Sequence, residues 1–261
     1  MLIAQLTDTH ISTPESMVET RYQTSHYLAR AIRHLNRLRP RPELVLVTGD
    51  LTETGRPEEY ACLGTLLAEL EPPVYLIPGN HDQREALRAA FGPHRYLPTS
   101  GFLHYTIEHL PVRLLGLDTV VPGQVGGALC PERLDWLSRR LAEDQARPTV
   151  IFMHHPPFAS GIAPMDKDGF GNAQALADLL KRFGHIERVV CGHVHRAISV
   201  RWAGTVGSIA PATAHQVGLD LSQSETPVEF RMEPPACQLL YWHDGAVIGH
   251  LSPIGEFPPS V

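Results

Sequence analysis

The sequence predicts an α/β fold built on a mainly parallel sheet, and three observations predict it. Short runs rich in Val, Ile and Leu recur through residue 191, several of them apolar at every position, as strands buried on both faces are. Between them lie amphipathic stretches with leucines three and four residues apart, the spacing of a helix that buries one face. Strand and helix alternate, and a helical crossover between strands sets neighbouring strands parallel.

The strand runs are residues 2–6 (LIAQL), 44–47 (LVLV), 74–77 (VYLI), 113–117 (RLLGL), 149–153 (TVIFM) and 188–191 (RVVC). The first helix carries Leu28, Ala31, Ile32, Leu35 and Leu38, with Ser25 as its N-cap. Pro57 suits a first helical position and leads into Leu63, Leu66, Leu67 and Leu70; Pro131 opens a similar stretch with Leu134, Leu137 and Leu141. Asn172 can cap a helix carrying Leu176, Leu179, Leu180 and Phe183, which Gly184 ends. After His195 the pattern changes to short strands at 197–200, 205–209, 228–232, 238–242 and 246–251, with a His243-Asp244-Gly245 turn between the last two. This part reads as antiparallel, a second sheet packed on the first. Residues 12–24 read as a polar connection and 159–171 (ASGIAPMDKDGFG) as a long loop. The expected organisation is a single domain over 1–251 and a Pro-rich tail over 252–261.

Composition limits the function. At 261 residues and 43% hydrophobic content the chain can bury a full core. Lys and Arg number 22 against 28 Asp and Glu, a net charge of −6, which argues against a general nucleic-acid or anionic-membrane binder. The first apolar run is too short for a signal peptide, and no run reaches a membrane span, so the expected compartment is the cytoplasm. Cys62, Cys130, Cys191 and Cys237 are far apart and read as reduced, mostly buried thiols. The 15 histidines invite a search for metal.

Polar residues follow five of the apolar runs: Asp8 and His10; Asp50; Asn80, His81 and Asp82; His154 and His155; His193 and His195. In open α/β sheets, ligands bind at the carboxyl ends of the strands. Parallel strands therefore gather these residues into one cluster. Imidazoles mixed with carboxylates suit Mn, Fe, Co or Zn better than Ca. Seven donors (Asp8, His10, Asp50, Asn80, His154, His193 and His195) exceed what one ion needs, and they serve two ions if one carboxylate bridges. Asp50, alone after its strand, is the natural bridge. Two-metal sites clamp an in-line displacement at phosphorus.

Asp-x-His, Gly-Asp, Gly-Asn-His-Asp, His-His-Pro-Pro and Gly-His-x-His, in this order, resemble the calcineurin-like metallophosphoesterase superfamily. Within it the chain is similar to bacterial class III cyclic-nucleotide phosphodiesterases and binuclear glycerophosphodiesterases, over residues 1 to about 217. The resemblance implies a four-layer α/β/β/α sandwich of two mixed sheets with flanking helices. It implies Asp8, His10, Asp50 and His195 around one metal, and Asp50, Asn80, His154 and His193 around the other. A hydroxide between the ions would attack phosphorus, His81 would contact the phosphoryl oxygen or protonate the leaving group, and Asn80, His81 and His215 would line the substrate side. The implied activity is hydrolysis of small phosphodiesters, 3′,5′-cyclic nucleotides or glycerophosphodiesters, by a homo-oligomer (dimer or higher). Two divalent cations, two carboxylates and a hydroxide leave a single positive charge, which a diester monoanion neutralises.

Other readings stand beside this one. A phosphomonoesterase or nucleotide pyrophosphatase could use the same dimetal site, and a non-catalytic scaffold could keep the fold. A scaffold should have lost ligands, and all seven are present. His155 reads as a packing or supporting residue, Asp82 as a support for His81, and Asp118 as a cap or turn. The arginines of 30–41 read as a solvated helix face.

Overall fold

The computed structural model describes residues 1–224 and 226–257. Along the chain the elements are β1 (Leu2–Leu6), α1 (Met17–Tyr22), α2 (Thr24–Arg37), β2 (Leu44–Thr48), α3 (Pro57–Leu67), β3 (Val74–Ile77), α4 (Arg84–Phe91), β4 (Tyr105–Ile107) and β5 (Arg113–Leu117). Then come β6 (Gly127–Ala128), α5 (Pro131–Glu143), β7 (Thr149–Met153), α6 (Ala163–Asp166), β8 (Phe170–Gly171), α7 (Ala173–Leu180) and β9 (Ile186–Cys191). The last are β10 (Ile198–Trp202), β11 (Thr205–Ile209), β12 (Gln216–Val217), β13 (Phe230–Arg231), β14 (Ala236–His243) and β15 (Ala246–Pro253).

Two mixed sheets form. One has the order β15-β14-β1-β2-β3, the other β10-β11-β9-β7-β5-β4. Strands β1, β2 and β3 run parallel, as do β5, β7, β9 and β11; β14, β15, β10 and β4 are antiparallel additions at the flanks. Alternation along the second sheet explains the layers. Leu114, Val150, Phe152 and Val190 point between the sheets, into a core shared with the strands of the first sheet, and that core continues through the first sheet to Leu28, Ile32 and Leu35 of α2. Their neighbours Leu115, Ile151, Met153, Val189 and Cys191 point the other way, onto Leu137 and Leu141 of α5 and Leu176 and Leu180 of α7. Both faces of these strands are therefore buried, which is why their sequences are apolar throughout. This is the expected α/β/β/α sandwich.

A buried polar rung joins the sheets. Gln5 donates to Thr48 Oγ1 at 2.8 Å and to the Cys191 carbonyl at 2.9 Å. Gln238 donates to Gln5 Oε1 at 2.9 Å and to Ser208 Oγ at 3.1 Å. Each amide thus finds partners, as buried polar groups must.

The structure corrects several expectations. Most of the C-terminal strands join the two large sheets, and only β12 and β13 pair by themselves, as a two-stranded antiparallel ribbon. The β14–β15 hairpin extends the first sheet beside β1, and β10 and β11 extend the second beside β9. Alternation gives strand spacing but not strand partners. Strand β15 runs on to Pro253 and Ile254 is buried, so the start of the Pro-rich segment is held in the fold; residues 258–261 lie outside the described residues. Helix α2 starts at Thr24 with Gln23 at its N-cap, while Ser25 gives both its N–H and its hydroxyl to Glu19. Asn172 stands at the N-cap of α7, but its amide donates to the Leu129 carbonyl instead of capping, and α7 stops at Leu180, before Phe183 and Gly184. The polar connection holds α1, and the loop of 159–171 holds α6 and β8. Among the described residues no helix is long and apolar enough to cross a membrane.

Candidate metal centre

The cluster lies where the two sheets meet. Asp8 and His10 follow β1, Asp50 follows β2, and Asn80 and His81 follow β3, all from the first sheet. His154 follows β7, and His193 and His195 follow β9, from the second. Pairing between β1 and β2 continues past the strand ends: the N–H groups of Asp8, His10 and Ile11 donate to the carbonyls of Gly49, Asp50 and Leu51 at 3.0–3.1 Å. The two loops are thereby held side by side.

Five of the seven expected donors have left-handed backbone: Asp8 (φ 52°), His10 (43°), Asp50 (46°), His193 (71°) and His195 (54°). Non-glycine residues rarely adopt this conformation, although Asp, Asn and His tolerate it best. Such strain gathers at sites where geometry serves function. The turns also bring backbone close to ligand. A Cβ on Gly192 would stand 2.8 Å from Asp8 Oδ2 and 3.1 Å from the Thr48 carbonyl, so only glycine lets β9 turn here. The His193 N–H then reaches both oxygens of Asp8, at 3.0 and 3.1 Å.

Tautomers follow from the partners. His10 Nδ1 faces Glu53 Oε2 at 2.8 Å, His154 Nδ1 faces the Thr48 carbonyl at 2.8 Å, and His195 Nδ1 faces the His215 carbonyl at 2.9 Å. Each partner is an acceptor, so each Nδ1 carries the proton and each Nε2 presents a lone pair. Those lone pairs converge. His10 Nε2 and His195 Nε2 are 3.1 Å apart, and His195 Nε2 is 3.4 Å from Asp8 Oδ1. His154 Nε2 is 3.2 Å from Asn80 Oδ1 and 3.3 Å from Asp50 Oδ2, and His193 Nδ1 is 3.1 Å from Asn80 Oδ1. Acceptors facing acceptors in a buried site need a positive charge among them. Asp50 Oδ2 reaches both groups, being 3.7 Å from His10 Nε2 as well. It therefore stands between two donor sets, {Asp8, His10, His195} and {Asn80, His154, His193}. The residues fit a pair of divalent cations sharing Asp50.

Electrostatics tell the same story. Burial opposes ionisation of Asp50, yet His154, His81 and His10 together hold its carboxyl well below the ordinary range. Burial likewise disfavours charge on His154, but Asp50 overrides it and raises the imidazole to about 9, whereas burial and the neighbouring His154 push His193 down to about 3. Without a cation, then, a proton on His154 Nε2 supplies the positive charge this cluster needs, and a metal ion held there would replace that proton and free the lone pair.

His81 stands at the opening, with its side chain 36% exposed. Its N–H donates to Asp50 Oδ1 at 2.9 Å, and its ring Nδ1–H donates to the Glu53 carbonyl at 2.7 Å, which leaves Nε2 free. His215 packs beside His195 and His10, with centroids 4.8 and 5.3 Å away; burial pushes its pKa down to about 2. Tyr22 stacks on its ring at 4.3 Å and Phe230 meets it edge-on at 4.9 Å.

All seven expected donors come together, with His81 and His215 beside them. Asp82 does not support the His81 ring. It is buried and accepts the N–H groups of Leu51 (3.0 Å) and Gly79 (2.8 Å) and the Tyr60 hydroxyl (2.9 Å), and so fastens the loops that carry Asp50 and Asn80. Asp118 is a structural anchor, forked onto Arg84 and accepting the N–H groups of Leu103 and Val120. His155 is buried beside Thr119, its Nδ1 2.7 Å from Thr119 Oγ1. With Phe158, Met165, Phe170 and His193 it lines a cavity of about 170 Å³ under the 159–171 segment. Sequence reasoning missed Glu53, Tyr22 and Phe230. Glu53 lies three residues after Asp50, and that spacing beside the His10 loop was the available signal; Tyr22 and Phe230 arrive from distant segments and left none.

Comparison with known proteins agrees. Residues 1–197 match the calcineurin-like phosphoesterase family. The chain is 37% identical over 259 residues to a probable glycerophosphodiester phosphodiesterase GpdQ of Arcobacter nitrofigilis, covering 98% of this chain and 94% of that protein. It is 29% identical over 219 residues to the 3′,5′-cyclic adenosine monophosphate phosphodiesterase CpdA of Escherichia coli K12, covering 82% and 76%. A dimetal phosphatase from Danio rerio shares the fold, with a TM-score of 0.68 at 17% identity over 98% of this chain and 97% of that one. The strand-end motifs, the sandwich that gathers them and these matches agree that the chain belongs to the calcineurin-like phosphoesterase family.

Proposed function

We propose that the protein is a binuclear-metal phosphodiesterase that hydrolyses small phosphodiesters, glycerophosphodiesters or 3′,5′-cyclic nucleotides. One observation carries the reading: two sets of lone pairs converge on either side of the buried Asp50 carboxylate. Asp8, His10 and His195 would hold one ion and Asn80, His154 and His193 the other, with Asp50 between them. Mn, Fe, Co and Zn all suit this donor set. When bound, the pair supplies Lewis acidity toward the phosphoryl oxygens and a nucleophile at neutral pH.

The chain's own residues do the rest. Asp50 and Asn80 sit on rigid strand ends, so the donors need little reorganisation. Burial opposes charge on His81, yet Asp50 and the Glu53 carbonyl raise its pKa; in the imidazolium form Nδ1–H stays on the Glu53 carbonyl and the unpartnered Nε2–H can meet a phosphoryl oxygen or pass its proton to the leaving alcohol. His215, buried beside His10 and His195 and walled by Tyr22 and Phe230, is the residue the family resemblance puts on the substrate side. Glu53 adds a third carboxylate beside His10, which disfavours a dianionic monoester further and supports the diesterase over the phosphomonoesterase reading. The matches to a GpdQ and to CpdA support a diester, and the 37% identity over nearly the whole chain favours glycerophosphodiesters as the first substrates to try.

The test is the ratio of kcat/KM for bis(p-nitrophenyl) phosphate to that for p-nitrophenyl phosphate, measured after loading with Mn²⁺. A ratio well above one is expected. A ratio below one, or undiminished activity in Asp50→Ala, would sink the proposal.

A further inference from the structure

Glu53 is tied to two histidines of the site by two different groups. Its carboxylate Oε2 accepts the Nδ1–H of His10 at 2.8 Å, and its main-chain carbonyl accepts the Nδ1–H of His81 at 2.7 Å. The carboxylate also lies 3.9 Å from His81 Nδ1, and the two rings meet edge to face with centroids 4.7 Å apart. The residue is itself held: its N–H donates to the Ile11 carbonyl at 3.0 Å, and Thr52 bridges to Ile11 in the pairing that prolongs β1 and β2. Its side chain is 25% exposed, so water competes only in part for the His10 bond.

We propose that Glu53 is a positioning residue that fixes His10, through its side chain, as an Nε2 donor to the first metal, while its main chain independently fixes His81. The inference rests on the dimetal reading above. An imidazole has two tautomers, and only the one protonated at Nδ1 presents its Nε2 lone pair toward His195 and Asp50. A carboxylate is the strongest neutral-pH acceptor a side chain offers, so it locks that tautomer and makes Nε2 a better donor. Because the His81 bond uses a carbonyl, it survives any substitution that leaves the loop in place. Glu53 therefore predicts a split outcome: His10 depends on its side chain and His81 does not.

The experiment uses the ¹⁵N-labelled full chain, stripped of metal, and reads imidazole tautomers by long-range ¹H–¹⁵N correlation. It is paired with Mn²⁺ affinity by equilibrium dialysis. In the wild type both His10 and His81 should be protonated at Nδ1. In Glu53→Ala, His10 should become a tautomer mixture while His81 is unchanged, and Mn²⁺ affinity at one of the two sites should fall about 10- to 100-fold. Glu53→Gln keeps an acceptor oxygen and should restore the His10 tautomer with a smaller loss of affinity. If removing the stem unsettles the loop, Glu53→Met keeps the stem without a strong acceptor and should behave as Glu53→Ala. An unchanged His10 tautomer or unchanged Mn²⁺ affinity in the Ala and Met variants overturns the proposal. So does a His81 change that accompanies the His10 change, since the side chain would then be serving the whole loop. Failure of the wild type to bind two Mn²⁺ would instead overturn the dimetal reading, and the His10 tautomer would still report on Glu53.

Discussion

Gly79 sits between β3 and Asn80, and its missing side chain decides where Asp50 can lie. A Cβ built there would overlap Asp50 Oδ1 and the Asp50 nitrogen and stand 2.9 Å from Asp50 Cγ. Two non-bonded carbons pack at about 3.5–4.0 Å, so the carboxylate must retreat by roughly 0.6–1.1 Å. The main-chain nitrogen cannot swing aside as a side chain could, so the strain is shared by both loops. Overpacking of this kind costs about 1–3 kcal/mol. The functional cost should be larger. A site tolerates about 0.5 Å of misplacement, and about 1 Å can cost on the order of 100-fold in rate. Gly79→Ala should therefore lower kcat/KM for bis(p-nitrophenyl) phosphate by about 100-fold and reduce bound Mn²⁺, while the protein still melts cooperatively. Gly64→Ala is the control. Gly64 lies inside α3, where a Cβ meets only Phe91 Cζ at an ordinary 3.9 Å. There the same methyl should stabilise by about 0.5–1 kcal/mol and leave activity unchanged. Full activity and metal content in Gly79→Ala would refute the idea that backbone approach at this turn positions Asp50.

Two further predictions concern the anchor behind the site. Arg84→Met strips the buried Asp118 of its forked partner, at 2.5 and 2.8 Å, and should destabilise by about 3–5 kcal/mol in a urea titration, with Arg84→Met/Asp118→Asn recovering part of the loss; a change below about 1 kcal/mol would refute the anchor role. Burial, helped by the nearby Arg133 and Arg84 charges, depresses His104 from 6.5 to about 4 in the folded chain, where its unprotonated Nδ1 accepts the Asp118 N–H at 3.0 Å. The unfolded chain then binds the extra proton first, so stability is complete above about pH 6.5 and is lost as pH falls toward 4, by about 3 kcal/mol in all. His104→Asn, which keeps an acceptor and does not titrate, should flatten that part of the stability–pH curve; an equally steep fall in the variant would assign the effect elsewhere.

The sequence by itself determined the chemistry. Asp8, His10, Asp50, Asn80, His154, His193 and His195 each follow a run whose apolar pattern marks it as a strand, and parallel strands put their carboxyl ends on one side. Short-range pattern carries that much, because burial on two faces and tight turns leave local signatures. Partners distant in the chain were decided only by the tertiary structure. The five strand ends come from two sheets, three from one and two from the other, and the cluster forms only because the sandwich brings those edges together. The same packing sends β14 and β15 to the first sheet instead of a sheet of their own, since strand spacing does not encode which edge is open. Glu53 behind His10, Tyr22 on His215 and Asp82 beneath two loops were legible only in three dimensions. A carboxylate or ring looks the same in sequence whether it faces water or holds a ligand, and its role is set by what the fold places within about 3 Å of it.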